Sequence, residues 1–132
     1  METILNNATE ILLLIFLIIT FLQSGLDKII DWNGNISWLK EHFSATFLKN
    51  VVPVMVAIIL VLEMLAGILC LLGIFQIFIS AKTTFAFYGA VLSCVVLLLL
   101  LFGQRVAKDY DGARTIAIYF VPAIFLVFLL QL

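Results

Sequence analysis

Long apolar runs dominate the chain, and polar residues collect in the stretches between them. Four runs are long enough to cross a bilayer, which takes about 20 apolar residues at roughly 1.5 Å of rise per residue. They cover residues 8–26, 51–75, 85–102 and 115–132. The pattern predicts an all-α integral membrane four-helix bundle that forms one domain over residues 1–132.

The first connection, residues 27–50, is the longest and carries a helical pattern of its own. Asn33-Gly34-Asn35 predicts a turn, and Ser37 is a suitable N-cap for a short helix that runs to about Leu48. We expect this helix to lie in the membrane interface or to cap the mouth of the bundle. A loop helix that packs on the spans and has no lipid role is an equal alternative.

The composition supports a membrane protein rather than a soluble one. Hydrophobic residues make up 65% of the chain and charged residues 11%, whereas soluble domains carry about 45–50% and about 25%. The net charge is -1, and no basic tract is long enough to indicate nucleic-acid binding. We expect the lipid bilayer as the main surroundings and no nucleic-acid partner.

The distribution of lysine and arginine predicts the orientation of the spans. The first and third connections carry six of the seven basic residues, namely Lys28, Lys40, Lys49, Arg105, Lys108 and Arg114. The remaining one, Lys82, lies in the second connection. Because basic loops stay in the cytoplasm, we expect both termini to lie outside.

Glu63 is the one formally charged residue of the second span. A charge at that depth costs on the order of 3 kcal/mol by insertion scales, so the residue should face the bundle interior and have a partner. Gly67 and Cys70 share its helical face, while bulky aliphatic residues occupy the opposite face. We therefore expect Glu63 to point inward, and we favour a functional role for it. The alternative is a structural interhelical hydrogen bond, which contributes only about 0.6–2 kcal/mol in membranes.

The first span has a polar stripe that could meet Glu63. Its members are Thr20, Gln23, Ser24, Asp27 and Lys28. Glu63 should lie roughly 14 Å below the end of its span, and a lysine at a span end normally points outward. The depth therefore favours a hydrogen-bonded network with Thr20 or Gln23 over a direct ion pair with Lys28.

Small residues indicate where helices approach closely. The candidate packing positions are Gly25, Gly67, Gly73, Gly89 and Ser93. The Tyr88 hydroxyl needs a partner, so this side chain is a candidate for the polar interior. The two cysteines, Cys70 and Cys94, should lie beyond disulfide reach. No residues stand at catalytic or metal-ligand spacing, and His42 is a lone histidine, so we predict neither a catalytic residue nor a metal site.

Three sequence blocks resemble the DoxX family of small bacterial membrane proteins. They are FLQSGLDK at residues 21–28, EMLAGILCLLG at 63–73 and, more loosely, RVAKDY at 105–110. The matching positions are Gly25, Lys28, Glu63, Gly67 and Gly73. The resemblance covers nearly the whole chain and implies a compact four-helix bundle in the bacterial inner membrane. Some relatives are linked to quinone-coupled sulfur oxidation or to membrane oxidoreductase assemblies, and distant animal relatives act as receptor-assembly chaperones.

Two functions remain open from the sequence. The first is a non-catalytic subunit or assembly factor of a larger membrane complex, with protein partners or further copies of itself around it. The alternative is a quinone- or lipid-binding component of an oxidoreductase system, in which Glu63, Gln23, Tyr88 and Lys28 provide polar contacts. Beyond a quinone or lipid, no cofactor is predicted. Conduction along the Glu63 stripe would need a second carboxylate at mid-membrane, which the sequence lacks.

Overall fold

The computed structural model describes residues 2–132, with the backbone alone at Thr3. Over that range the chain forms helices and no strand. The helices are α1 (Glu2–Asn6), α2 (Ala8–Ile30), α3 (Trp32–His42), α4 (Val52–Ser80), α5 (Thr84–Val106) and α6 (Tyr110–Gln131). Four of them, α2, α4, α5 and α6, are long and apolar enough to cross a membrane. The prediction of an all-α membrane bundle with four spans is confirmed.

The four long helices pack in chain order. Helix α4 packs on α2 and on α5, α5 packs on α6, and α6 returns to α2 to complete the bundle. Their inward faces bury a continuous apolar core whose largest members include Leu14, Leu17, Phe21, Leu97 and Leu126. Because consecutive spans run in opposite directions, the α2–α4 connection and the α5–α6 connection lie at the same end of the bundle.

The helices extend beyond the apolar runs that predicted them. Helix α2 continues to Ile30 rather than 26, and α4 continues to Ser80 rather than 75. Helix α6 already begins at Tyr110 rather than at 115, because Asp109 caps it by accepting a 2.9 Å hydrogen bond from the Gly112 amide. Backbone hydrogen bonds do not require apolar side chains, so a helix can run on where its side chains reach water.

Helix α3 begins earlier than the sequence indicated. Asp31 is its N-cap and accepts a hydrogen bond from the Gly34 amide, so the predicted Asn33–Asn35 turn is wrong and Ser37 is not the N-cap. The first turn of a helix has unsatisfied amides, and the Asp31 carboxylate satisfies one of them. The helix ends at His42 rather than at about Leu48, so the predicted end is also wrong, and turns follow it up to α4.

Helix α3 covers one end of the bundle. Its Ile36, together with Phe43 just beyond it, packs on Val52 and Val56 in the first turns of α4. This contact forms a second, smaller apolar cluster apart from the main core. The predicted short helix in the first connection is thus present, and it packs on the amino-terminal end of α4.

The small residues mark close helix contacts, as predicted. A Cβ atom at Gly73 would lie 2.7 Å from backbone atoms of Ala86, and one at Gly89 would lie 2.9 Å from the amide nitrogen of Cys70. The Ser93 hydroxyl, buried in the same α4–α5 contact, donates to the Gly89 carbonyl at 2.7 Å. The α2–α4 contact is similar and places Gly25 against Met64 and Gly67 against Leu22.

Candidate functional site

Glu63 and Lys28 form an ion pair between α4 and α2. The Lys28 Nζ lies 2.9 Å from Oε1 of Glu63, and the side chains are 18% and 2% exposed, respectively. The same ammonium donates a 2.8 Å hydrogen bond to the hydroxyl of Ser24, one turn earlier on α2. The predicted inward orientation of Glu63 is confirmed, and Lys28 is its partner.

Thr20 and Gln23 do not form the expected hydrogen-bonded network with Glu63. The Thr20 hydroxyl donates to the carbonyl of Phe16 on its own helix at 2.8 Å. The Gln23 side chain is exposed. The preference for these two residues over Lys28 as partners of Glu63 was therefore wrong.

The register between α2 and α4 explains the error. Gly25 lies against Met64 and Leu22 against Gly67, so in this antiparallel pair Lys28 lies level with about Val61, within one turn of Glu63. The earlier depth estimate assumed that α2 ends level with the start of α4. In fact the first turns of α4 extend past α2 to reach α3, which brings Lys28 and Glu63 to similar depth.

The ion pair leaves acceptor capacity on the carboxylate. The contact between Nζ and Oε1 is short, yet it lacks the alignment of a hydrogen bond, and within residues 2–132 Oε1 has no hydrogen-bond partner. A carboxylate can accept about four hydrogen bonds. Glu63 is thus held mainly by the charge of Lys28, and Oε1 remains able to accept a hydrogen bond.

A recess of about 260 Å³ opens beside Lys28, and we call it the Lys28 recess. It lies between α3 and the facing ends of α4 and α5. Its wall has two strongly polar side chains, Lys28 and Gln104. The rest of the wall is mainly apolar and comprises Leu39, Phe43, Leu48, Met55, Val56, Ile58, Ile59, Leu99, Leu100, Phe102 and Gly103. Lys28 therefore belongs both to the buried ion pair and to an apolar recess.

Gln104 is held in place by His42 at the end of α3. The His42 Nε2 lies 3.1 Å from the Gln104 Oε1 and 3.6 Å from Oδ2 of Asp109, the N-cap of α6. The imidazole also stacks on Trp38, with ring centroids 4.7 Å apart. These contacts tie α3 to the α5–α6 connection and fix one wall of the recess. The sequence did not indicate this role, since His42 and Gln104 are 62 residues apart.

Tyr88 does not join the site. Its side chain is exposed on the outer face of α5 and its ring lies 6.2 Å from that of Phe87. The inward face of α5 is occupied by Ala86, Gly89 and Ala90, which are buried. The expectation that Tyr88 lines the polar interior was wrong, because the close α4–α5 contact admits only small residues there.

Other candidate chemistry in the described part of the chain is limited. Cys70 and Cys94 are both buried and free. Residues 2–132 contain no group of three or more His, Cys, Asp or Glu side chains placed to hold a metal ion. The Lys28–Glu63 pair and the adjoining recess are therefore the strongest candidate site.

Comparison of the chain with protein-family models, with curated proteins and with solved structures finds no match. The resemblance to the DoxX family stays a prediction from the three sequence blocks.

Proposed function

We propose that this protein is a small membrane subunit, non-catalytic by itself, whose Lys28 recess holds the head group of a quinone-like amphiphile. The observation that carries the proposal is the double position of Lys28, in the ion pair with Glu63 and in the wall of the recess. This proposal combines the two functions predicted from the sequence, a subunit of a membrane complex and a quinone- or lipid-binding component. Electron transfer to or from the quinone would belong to a partner complex.

The wall of the recess suits a flat, largely apolar ring that carries acceptor oxygens. An ammonium group has three N–H donors. In Lys28 one of them donates to Ser24, and the charge lies beside Glu63. The ammonium can therefore still donate a hydrogen bond to a ligand carbonyl. The Gln104 amide offers a second polar group. Small-molecule sites are mostly apolar with a few placed polar groups, and this recess has that character.

The size and opening of the recess favour a head group with a tail outside it. A volume of about 260 Å³ lies just below the roughly 300–1,000 Å³ of ordinary ligand pockets, so it suits a ring rather than a whole lipid. Ile58, Leu99 and Phe102 of its wall are exposed on the outer surface of the bundle. An isoprenoid tail could leave the recess past these side chains and lie in the bilayer.

We also propose a membrane, a partner system and an orientation for the subunit. The resemblance to the DoxX family supports a bacterial inner membrane and an oxidoreductase system as the partner. The basic residues of the first and third connections collect at the end of the bundle that carries α3, so the positive-inside rule supports a cytoplasmic location for that end. Both termini would then lie outside, and a quinone would enter near the cytoplasmic side.

Purification in a gentle detergent followed by native mass spectrometry and lipid extraction tests the proposal. We expect one quinone per chain, retained with or without a co-purifying membrane complex. Retention of phospholipid without quinone would contradict the quinone assignment of the Lys28 recess. A large partner complex with no bound quinone would support the subunit prediction alone and count against a ligand site. An isolated, empty monomer would contradict both.

A further inference from the structure

A second recess lies on a neighbouring face of α3, outside the candidate site described above. Its volume is about 440 Å³, and it is lined by Lys40, Ser44, Lys49, Asn50 and Pro53. Lys40 belongs to α3, Ser44, Lys49 and Asn50 to the turns after it, and Pro53 to the first turn of α4. We call it the Lys40–Lys49 recess.

The side chains of this recess are suited to an anion. Lys40 and Lys49 supply two positive charges, and Ser44 and Asn50 can donate hydrogen bonds. No carboxylate stands in its wall. Within residues 2–132 the ion pairs involve Lys28, His42 and Arg114, so neither lysine of the recess is neutralised by a carboxylate. An oxyanion with several acceptor oxygens, such as a phosphate group, matches this donor set.

The position of the recess indicates that the phosphate comes from a membrane lipid. Pro53 lies in the first turn of α4, the longest of the four spans, so the recess adjoins the point at which the chain enters the bilayer. Trp38, two residues before Lys40, and Phe47, between Ser44 and Lys49 in the chain, are 59% and 75% exposed. Tryptophan is enriched at headgroup level, and phenylalanine occurs on the apolar face of segments that lie in the interface. Basic side chains at that level attract anionic lipids.

We propose that the Lys40–Lys49 recess binds the phosphate of an anionic membrane phospholipid. The two lysines face the phosphate, and the acyl chains lie along the start of α4. This site is separate from the Lys28 recess, because the two share no wall residue. It does not depend on the quinone proposal and can hold even if that proposal fails.

Native mass spectrometry with added phospholipid tests the site. The purified protein is titrated with phosphatidylglycerol or with phosphatidylcholine, each with and without excess inorganic phosphate. We expect preferential retention of phosphatidylglycerol, and about 30-fold weaker retention in Lys40→Gln/Lys49→Gln, since each lysine near the membrane surface contributes about a fivefold gain. The matched control is Lys82→Gln/Lys108→Gln, which also removes two exposed lysines but leaves the recess intact, and it should bind as the unmodified chain does. Thermal unfolding in detergent confirms that both double variants remain folded.

Three results would overturn the proposal. Equal retention of the two lipids would show that the anionic head is not recognised. Equal loss in the recess variant and the control variant would show that total charge rather than the recess binds the lipid. Full displacement of phosphatidylglycerol by inorganic phosphate would show that the recess takes free phosphate rather than a lipid.

Discussion

Replacing Lys28 with methionine is expected to lower the free energy of unfolding by about 3–5 kcal/mol, the range for removing one partner of a buried ion pair. The side chain of Glu63 is 2% exposed, so without Lys28 the carboxylate would either keep its charge in the core with no counter-ion or take up a proton, and both cost free energy. Methionine retains most of the length of the lysine stem. The loss therefore reports on the charge rather than on packing.

The measurement is reversible unfolding in mixed micelles, followed by circular dichroism. Replacing both partners, as in Lys28→Met/Glu63→Leu, should recover much of the loss, because no unpaired charge is left. Glu63→Gln should cost less than Lys28→Met, because the ammonium that it leaves without a counter-ion is 18% exposed and still donates to Ser24, whereas the Glu63 carboxylate is 2% exposed. Lys82→Met is the matched control, since Lys82 is exposed in the second connection. Equal effects of Lys28→Met and Lys82→Met would refute an energetically important ion pair.

Replacing Gly73 with alanine is expected to destabilise the bundle, because overpacking usually costs about 1–3 kcal/mol. The added methyl carbon would lie 2.7 Å from backbone atoms of Ala86. Neither helix can relieve this clash by turning a side chain, so α4 and α5 must separate. The better helix propensity of alanine, about 1 kcal/mol, offsets only part of the loss.

Gly103→Ala is the matched control for Gly73→Ala. A Cβ atom at Gly103 would meet only the Cζ atom of Phe43, at the ordinary contact distance of 3.7 Å. Both glycines lie within helices, so the propensity gain should be similar. We expect the midpoint of thermal unfolding to fall for Gly73→Ala and to stay constant or rise for Gly103→Ala. A similar midpoint for the two variants would mean that the α4–α5 contact is looser than the structure shows.

The parts of the fold that depend on local pattern could be predicted from the sequence. Runs of apolar residues placed all four spans, and helical phasing placed Glu63 and Gly67 on the inward face of α4. Small residues at Gly73, Gly89 and Ser93 located the close α4–α5 contact. In each case the information lies within a few turns of one helix.

The parts that depend on how helices sit against each other could not be predicted. The choice between Lys28 and Thr20 as the partner of Glu63 rests on the α2–α4 register, which the apolar runs do not specify. The Lys28 recess lies beneath α3, which starts at Trp32 and covers the bundle end, whereas the sequence pattern predicted a turn at residues 33–35. The His42–Gln104 contact joins residues far apart in the chain, and neither residue is unusual in its local segment.

A pair of tryptophan variants tests directly whether the Lys28 recess binds a quinone head group. Leu99 lines the recess and the adjacent Leu98 does not, while their exposed fractions are similar, at 44% and 51%. Binding of a short-chain benzoquinone is measured by native mass spectrometry for the unmodified chain, Leu99→Trp and Leu98→Trp. We expect Leu99→Trp to lose the quinone and Leu98→Trp to retain it. Equal binding by the two variants, or no binding by the unmodified chain, would contradict quinone binding in the Lys28 recess.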